Sequence, residues 1–176
     1  MTGHLDTFCA DRLPPRELWP VREWSGVPEL RYPARLNCTV EAGGGDRPVF
    51  RFPGGEWTYR HLLESANRIA HVLVSDLGLV PGNRVLLRAP NTPMLAACWF
   101  GVLKAGGVAV CTMPLLRERE LRYVADRAEI TIALTDTRIA AECEAAFRTR
   151  RDGTARAGAK VVHFGSDAAD GLEAMM

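Results

Sequence analysis

The stretch Asn91–Pro114, NTPMLAACWFGVLKAGGVAVCTMP, decides how this chain folds. It begins with a turn signal and continues as an almost uninterrupted apolar segment up to the pair Gly106-Gly107. A short valine-rich run, Val108–Val110, follows the glycines, and a proline ends the stretch. A buried helix, a glycine break and a buried strand form the second half of a parallel βαβ unit.

The same stretch raises the alternative of a membrane span, which needs about 20 apolar residues. Lys104 and the two glycines divide the apolar run in its middle, so that neither half is long enough to cross a bilayer. We therefore interpret the stretch as protein core and expect no membrane partner.

Composition is that of an ordinary globular domain. The chain has 176 residues, of which 47% are hydrophobic and 24% charged, and its formal net charge of +1 gives no reason to expect nucleic acid as a partner. Its five cysteines are odd in number and form no C-x-x-C pair. This usage predicts free thiols in a reducing compartment, and no signal peptide is visible, so we expect a cytoplasmic protein.

The order of periodic segments predicts an α/β fold, with a mainly parallel sheet covered by helices on both faces. A Pro- and Trp-rich leader at 1–36 is expected to lie extended on this core. The α/β subdomain is expected at 37–165, and 166–176 should be a frayed tail or a single helical turn with little to pack.

Within the subdomain, a hairpin is predicted around Pro53-Gly54-Gly55, and Thr58 is the expected N-cap of the first helix. The further predicted elements are helix 58–77, strand 85–87, helix 93–105, strand 108–110, helix 117–128, strand 130–134, a helix capped by Asp136 and strand 161–164.

The sequence carries none of the common catalytic motifs. The sequence has no glycine-rich dinucleotide or P-loop motif, no nucleophile elbow and no zinc-protease motif, so no catalytic residue and no metal ligand is predicted. Arginines cluster in the loop Arg148–Gly158, but Asp152 interrupts them and no aromatic residues interleave. We interpret this segment as a solvated loop.

Two segments resemble a known family. WTYRHL at Trp57–Leu62 and LKAGGV at Leu103–Val108 are similar to the first two conserved segments of the AMP-forming acyl- and aryl-CoA synthetases, with Asn91 and Pro114 at the expected places. The leader, with Leu13-Pro14-Pro15, Trp19-Pro20 and Arg31-Tyr32-Pro33, resembles the benzoate and 2-aminobenzoate–CoA ligase branch.

This resemblance implies the N-terminal subdomain of an enzyme that converts a carboxylic acid, ATP and CoA to acyl-CoA, AMP and pyrophosphate, with magnesium. The family's Ser/Thr/Gly-rich phosphate loop and catalytic lysine have no counterpart in this sequence. We therefore expect a fragment that is inactive alone. Its partner would be the missing C-terminal part of the ligase or a complementing chain, and its exposed sheet could self-associate.

The resemblance also implies one binding residue, since a basic side chain shortly after the proline can approach the nucleotide end of CoA. Arg117 is the candidate, and the alternative is a solvated arginine in the first turn of a helix. For the whole chain, the alternative function is a non-catalytic α/β binding or interaction module. Reading the gene beyond Met176 would separate these two possibilities.

Overall fold

The computed structural model describes Pro15, residues 45–166, Ala168, Ala169 and residues 171–176. Apart from Pro15, the expectations for the leader at 1–36 and for the start of the subdomain lie outside these residues.

The described part contains a hairpin followed by alternating helices and strands. The hairpin consists of β1 (Pro48–Phe52) and β2 (Gly55–Thr58) and is antiparallel. The elements that follow are α1 (Tyr59–His71), a π-helical extension of α1 (Val72–Asp76), β3 (Arg84–Arg88), α2 (Pro93–Lys104), β4 (Val108–Thr112), α3 (Glu118–Arg127), β5 (Ile132–Asp136), a 3-10 turn (Thr137–Ile139), α4 (Ala140–Arg148), β6 (Lys160–Phe164) and α5 (Leu172–Met175).

Strands β3 to β6 form one parallel sheet in the order β4-β3-β5-β6. In β3, Val85 and Leu87 point toward a core shared with α1 and α2, whereas Leu86 points toward a second core shared with α3 and α4. All five residues of β3 and of β5 are buried, as expected of central strands covered on both faces. The predicted fold class is therefore confirmed.

Local signals explain where the two helices of the first core begin. The Thr58 hydroxyl accepts the His61 N–H at 3.2 Å, as predicted for the N-cap of α1. The Thr92 hydroxyl accepts the Leu95 N–H at 3.2 Å, and a proline occupies the first turn of α2.

Helices α1 and α2 approach each other closely at Gly101. A Cβ atom placed on Gly101 would lie 2.6 Å from Ile69 Cγ2 and 3.2 Å from the Ala66 carbonyl oxygen. Both of these α1 residues are fully buried. The absence of a side chain at Gly101 therefore sets how near the two helices lie. The apolar residues that recur every three or four positions from α1 into the segment after it are buried: Leu62, Ala66, Ile69, Leu73 and Leu77.

The tail differs in part from expectation. The sequence allowed a frayed tail or a single helical turn, and the structure has the single turn, α5. The expectation that the tail has little to pack against is wrong at Leu172. This residue is fully buried in the core shared with α1 and α2. The Gly165 N–H donates to Glu173 Oε1 at 2.7 Å, which fixes the turn against the end of β6.

The basic loop also differs, because Arg156 is buried rather than solvated. Its side chain is 1% exposed, and its Nη2 donates to Asp126 Oδ1 at 2.5 Å. The other oxygen of Asp126 accepts the Arg151 N–H at 2.7 Å. On α3, Glu118 forms an ion pair with Arg122, whereas Asp126, which also lies four residues from Arg122, binds Arg156 instead.

Candidate functional site at the carboxyl edge of the sheet

The carboxyl ends of the parallel strands meet at one edge of the sheet. Strand β3 lies between β4 and β5. The helix after β3 packs on one face of the sheet and the helix after β5 on the other. The chain therefore leaves these adjacent strands in opposite directions, and a crevice opens between their ends. Ligands of open parallel α/β sheets bind at such a point.

Arg88, the last residue of β3, lies at this crevice and is 2% exposed. Its Nη2 donates to the carbonyl oxygens of Pro114 and Leu116, each at 2.8 Å, and its Nη1 donates to the Ile139 carbonyl oxygen. Burial lowers the pKa of the Arg88 guanidinium from its ordinary value. One buried cation thus joins the segment after β4 to the 3-10 turn after β5.

Arg117, the binding residue implied by the resemblance, is the N-cap of α3, directly after the segment held by Arg88. Its side chain is 76% exposed, and its Nη1 donates to Glu142 Oε1 at 3.2 Å. The other oxygen of Glu142 accepts the Glu118 N–H at 2.8 Å. That backbone hydrogen bond, together with Arg117, lowers the pKa of Glu142. Arg117 is thus an accessible cation whose present partner is an acidic side chain of α4.

Asp136, the last residue of β5, is on the other side of the crevice and is 2% exposed. Its Oδ1 accepts the Arg138 backbone N–H at 2.9 Å, which confirms its predicted capping role, although for a 3-10 turn. The Arg138 guanidinium also donates to both carboxylate oxygens, at 2.9 and 2.7 Å. These bonds lower the pKa of Asp136 and keep it ionised.

Two cavities open on the α1/α2 side of this edge. The larger, about 450 Å³, is within the size range of small-molecule sites and lies between the hairpin and α2. Its lining is mainly aromatic and aliphatic: Phe50, Arg51, Phe52, Asn91, Thr92, Pro93, Leu95, Ala96, Trp99, Phe100 and Cys111. The smaller, about 200 Å³, is lined by residues that include Trp57, Met94, Asp136, Arg138 and Phe164.

The thiols within the described part are not activated. Burial raises the pKa of Cys111, which lines the larger cavity, and of the fully buried Cys98. Burial also raises the pKa of Cys143 to about 12. Since the thiolate is the nucleophilic form, none of these three cysteines is prepared for covalent catalysis at neutral pH.

Across residues 45–166 and the short segments described after them, no three His, Cys, Asp or Glu side chains are grouped so as to hold a metal ion. Over the same residues, no helix combines the length and the apolar character that a membrane crossing requires.

The resemblance gave Arg117 as a candidate, which stays a prediction, whereas the sequence analysis did not single out Arg88. A charged residue at the end of the otherwise apolar run Val85-Leu86-Leu87, just before Ala89-Pro90, could have indicated it. Its three acceptors are main-chain carbonyls far away along the chain, and no sequence pattern specifies them.

Comparisons with known proteins agree with this architecture. Residues 39–173 match the family model of AMP-binding enzymes. A long-chain-fatty-acid–CoA ligase of Bacillus subtilis (strain 168) is 36% identical over 90 residues, which are 51% of this chain and 16% of that protein. The salicyl-AMP ligase / salicyl-S-ArCP synthetase of Mycobacterium tuberculosis (strain ATCC 25618 / H37Rv) is 39% identical over 95 residues, 54% of this chain and 15% of that protein.

Among solved structures, a benzoate CoA ligase from Burkholderia xenovorans LB400 superposes with a TM-score of 0.65 at 23% identity. The match covers 75% of this chain and 25% of that one. At this identity the likeness concerns the fold alone. In each of these comparisons, the matched part is a quarter or less of the other protein. Because the family model matches most of its length, the chain belongs to the AMP-binding enzymes, and its α/β fold is that of the N-terminal part of acyl-CoA ligases.

Proposed function

We propose that this chain is the N-terminal scaffold of an ATP-dependent, AMP-forming acid–CoA ligase. The complete reaction converts a carboxylic acid, ATP and CoA to acyl-CoA, AMP and pyrophosphate. The observation that carries the proposal is the match of residues 39–173 to the AMP-binding enzymes, together with the four-stranded parallel sheet. The sequence motifs at Trp57–Leu62 and Leu103–Val108 lie within the matched residues and agree with it.

Benzoate-like acids are the proposed substrate class. The leader motifs that resemble the benzoate and 2-aminobenzoate branch are the main support. One relative is a ligase of fatty acids and the other a ligase of an aryl acid, so the relatives do not decide between the two classes.

The chain by itself is proposed to be inactive. Transfer of a nucleotidyl group needs loop amides, magnesium and a cation arranged around the phosphates. The sequence contains no Ser/Thr/Gly-rich loop for this purpose, so ATP and magnesium would be held by other parts of the ligase.

A contact with CoA at Arg117 is part of the proposal. The guanidinium is largely exposed and already holds one carboxylate, Glu142, at 3.2 Å. A phosphate of CoA would replace Glu142 as its partner, because arginine binds both groups through the same paired donors. Arg88 would support this contact indirectly, since it fixes the carbonyl of Leu116 next to Arg117.

The proposed partner is the remainder of the ligase, supplied by the same or by a complementing chain. Within the described residues, β4 has a neighbouring strand on one side only. Large apolar side chains near this edge are exposed, among them Trp99, Leu103, Val108, Met113 and Leu115. An open strand edge beside apolar side chains favours association, and self-association is expected when no partner is present. The proposed location is the cytoplasm.

The activity claim is tested by mixing the purified chain with ATP, magnesium, CoA and either benzoate or 2-aminobenzoate, and measuring AMP. We expect AMP at the level of the protein-free control. Turnover above that control would overturn the claim that the chain needs a partner.

The CoA contact is tested by NMR titration of the ¹⁵N-labelled chain with CoA and, as a control, with pantetheine, which lacks the nucleotide. We expect shifts around Arg117 with CoA only. Equal shifts with pantetheine, or none with CoA, would contradict the contact.

A further inference from the structure

A third cavity, of about 380 Å³, lies away from the carboxyl edge, on the α3/α4 side of the sheet. It is open to solvent and is lined by α4, by the loop between α4 and β6, and by β6 itself. The lining residues are Glu144, Phe147, Arg148, Arg156, Ala159 and Val161.

Of the two arginines that line this cavity, Arg156 is the more deeply buried. Its side chain is 1% exposed, its Nη2 binds Asp126, and its guanidinium carbon lies 5.4 Å from the centre of the Phe147 ring. Its Nε, however, is buried and donates to no acceptor of the protein. A buried N–H without an acceptor destabilises the protein, so this donor favours a ligand that brings an acceptor oxygen.

The other groups narrow the chemistry of the ligand. Arg148 is 74% exposed and lies 4.0 Å from Glu144, so its guanidinium is free to turn toward a second anion. Glu144 also lies 3.0 Å from His163 Nε2. The carboxylates of Glu144 and Asp126 would repel a dianion more strongly than a monoanion. Phe147, Ala159 and Val161 supply apolar wall.

We propose that this cavity binds a small organic monocarboxylate with a short apolar chain. Its carboxylate accepts hydrogen bonds from Arg156 Nε and from Arg148, and its chain packs against Phe147 and Val161. The site is separate from the proposed CoA contact at Arg117 and does not depend on it.

The test uses the full chain, labelled with ¹⁵N, and follows backbone amides and arginine Nε–H signals during titration with butyrate. We expect a saturable shift of the Arg156 Nε–H signal and of the amides around Val161. Butylammonium is the control for the sign of the charge and sulfate, a dianion at neutral pH, is the control for its size; neither should reproduce the shift.

Two matched variants complete the test. Arg148→Gln should weaken butyrate binding about fivefold, which is the effect of losing about 1 kcal/mol at an exposed charged partner. Arg150→Gln, in the same loop but outside the cavity lining, should leave binding unchanged. The proposal is overturned by the absence of a saturable Nε–H shift, by sulfate binding as tightly as butyrate, or by equal effects of the two variants.

Discussion

Replacing Gly101 by alanine tests whether contact between α1 and α2 determines stability. In a solvated helix this change would stabilise by about 1 kcal/mol, because alanine is the better helix former. In this chain the new Cβ would lie 2.6 Å from Ile69 Cγ2 and 2.8 Å from Ile69 Cβ. Carbon atoms prefer separations of about 3.5–4.0 Å, so the helices would have to move apart by nearly 1 Å.

Overpacking of a core costs about 1–3 kcal/mol, and two contacts below 3.0 Å place this site at the upper end. After the gain in helix propensity is subtracted, we expect Gly101→Ala to lower the free energy of unfolding by about 2 kcal/mol. The melting temperature should fall by about 4–8 °C.

Urea denaturation followed by circular dichroism measures this change, provided that the m-value stays constant. Leu103→Ala, on the same helix but 40% exposed, is the control and should change stability by less than about 1 kcal/mol. An alanine variant as stable as the natural chain, or more stable, would refute the argument that this helix contact is sterically saturated.

Three further outcomes are expected. Arg88→Met should lower the free energy of unfolding by about 2–4 kcal/mol, because three carbonyl oxygens lose their donor. Hydrogen exchange should increase most near Leu116, and unchanged exchange there would contradict the role of Arg88 in holding this segment. Arg117→Gln should weaken CoA binding several-fold in the NMR titration while stability stays constant; an unaffected affinity would leave Arg117 without its proposed role. Asp136→Asn should lower stability by about 1 kcal/mol at neutral pH. The pKa of Asp136 is held below its ordinary value in the folded chain. The carboxylate therefore stabilises the fold fully at pH values above that ordinary pKa, and this stabilisation is lost as the pH falls through the lowered pKa. The difference in stability between the variant and the natural chain should therefore shrink as the pH is lowered in acid-denaturation experiments. A difference that stays constant would contradict the stabilising role of the ionised Asp136.

The sequence predicted the fold well because its elements are marked by local signals. Thr58 caps a helix through its own side chain, Gly106 supplies a positive φ of +77° after α2, and strands β3 and β5 are short apolar runs. Each of these features depends on residues a few positions apart. Periodicity and turn chemistry therefore carry the information.

The sites were predicted less well because they depend on contacts between distant segments. In the sequence, Arg156 is one of several arginines in a polar loop. In the structure it is buried and binds Asp126, which lies 30 residues earlier. Leu172 reads as part of a polar tail, yet it completes the core of α1 and α2. Neither contact leaves a periodic trace in the sequence, so only the folded arrangement shows it.

The position of β3 between β4 and β5 has a consequence during synthesis. The first strand of the sheet to leave the ribosome becomes a central strand, and β4 can pair with it at once through the α2 connection. The opposite edge of β3 stays unpaired until β5 has been synthesised. The end of β5 lies about two dozen residues after Thr112, and synthesis of these residues takes about 1–5 s at ordinary elongation rates. During this interval the nascent chain carries an unprotected hydrophobic edge. Slow codons between β4 and β5 would therefore be expected to increase chaperone dependence and misassembly.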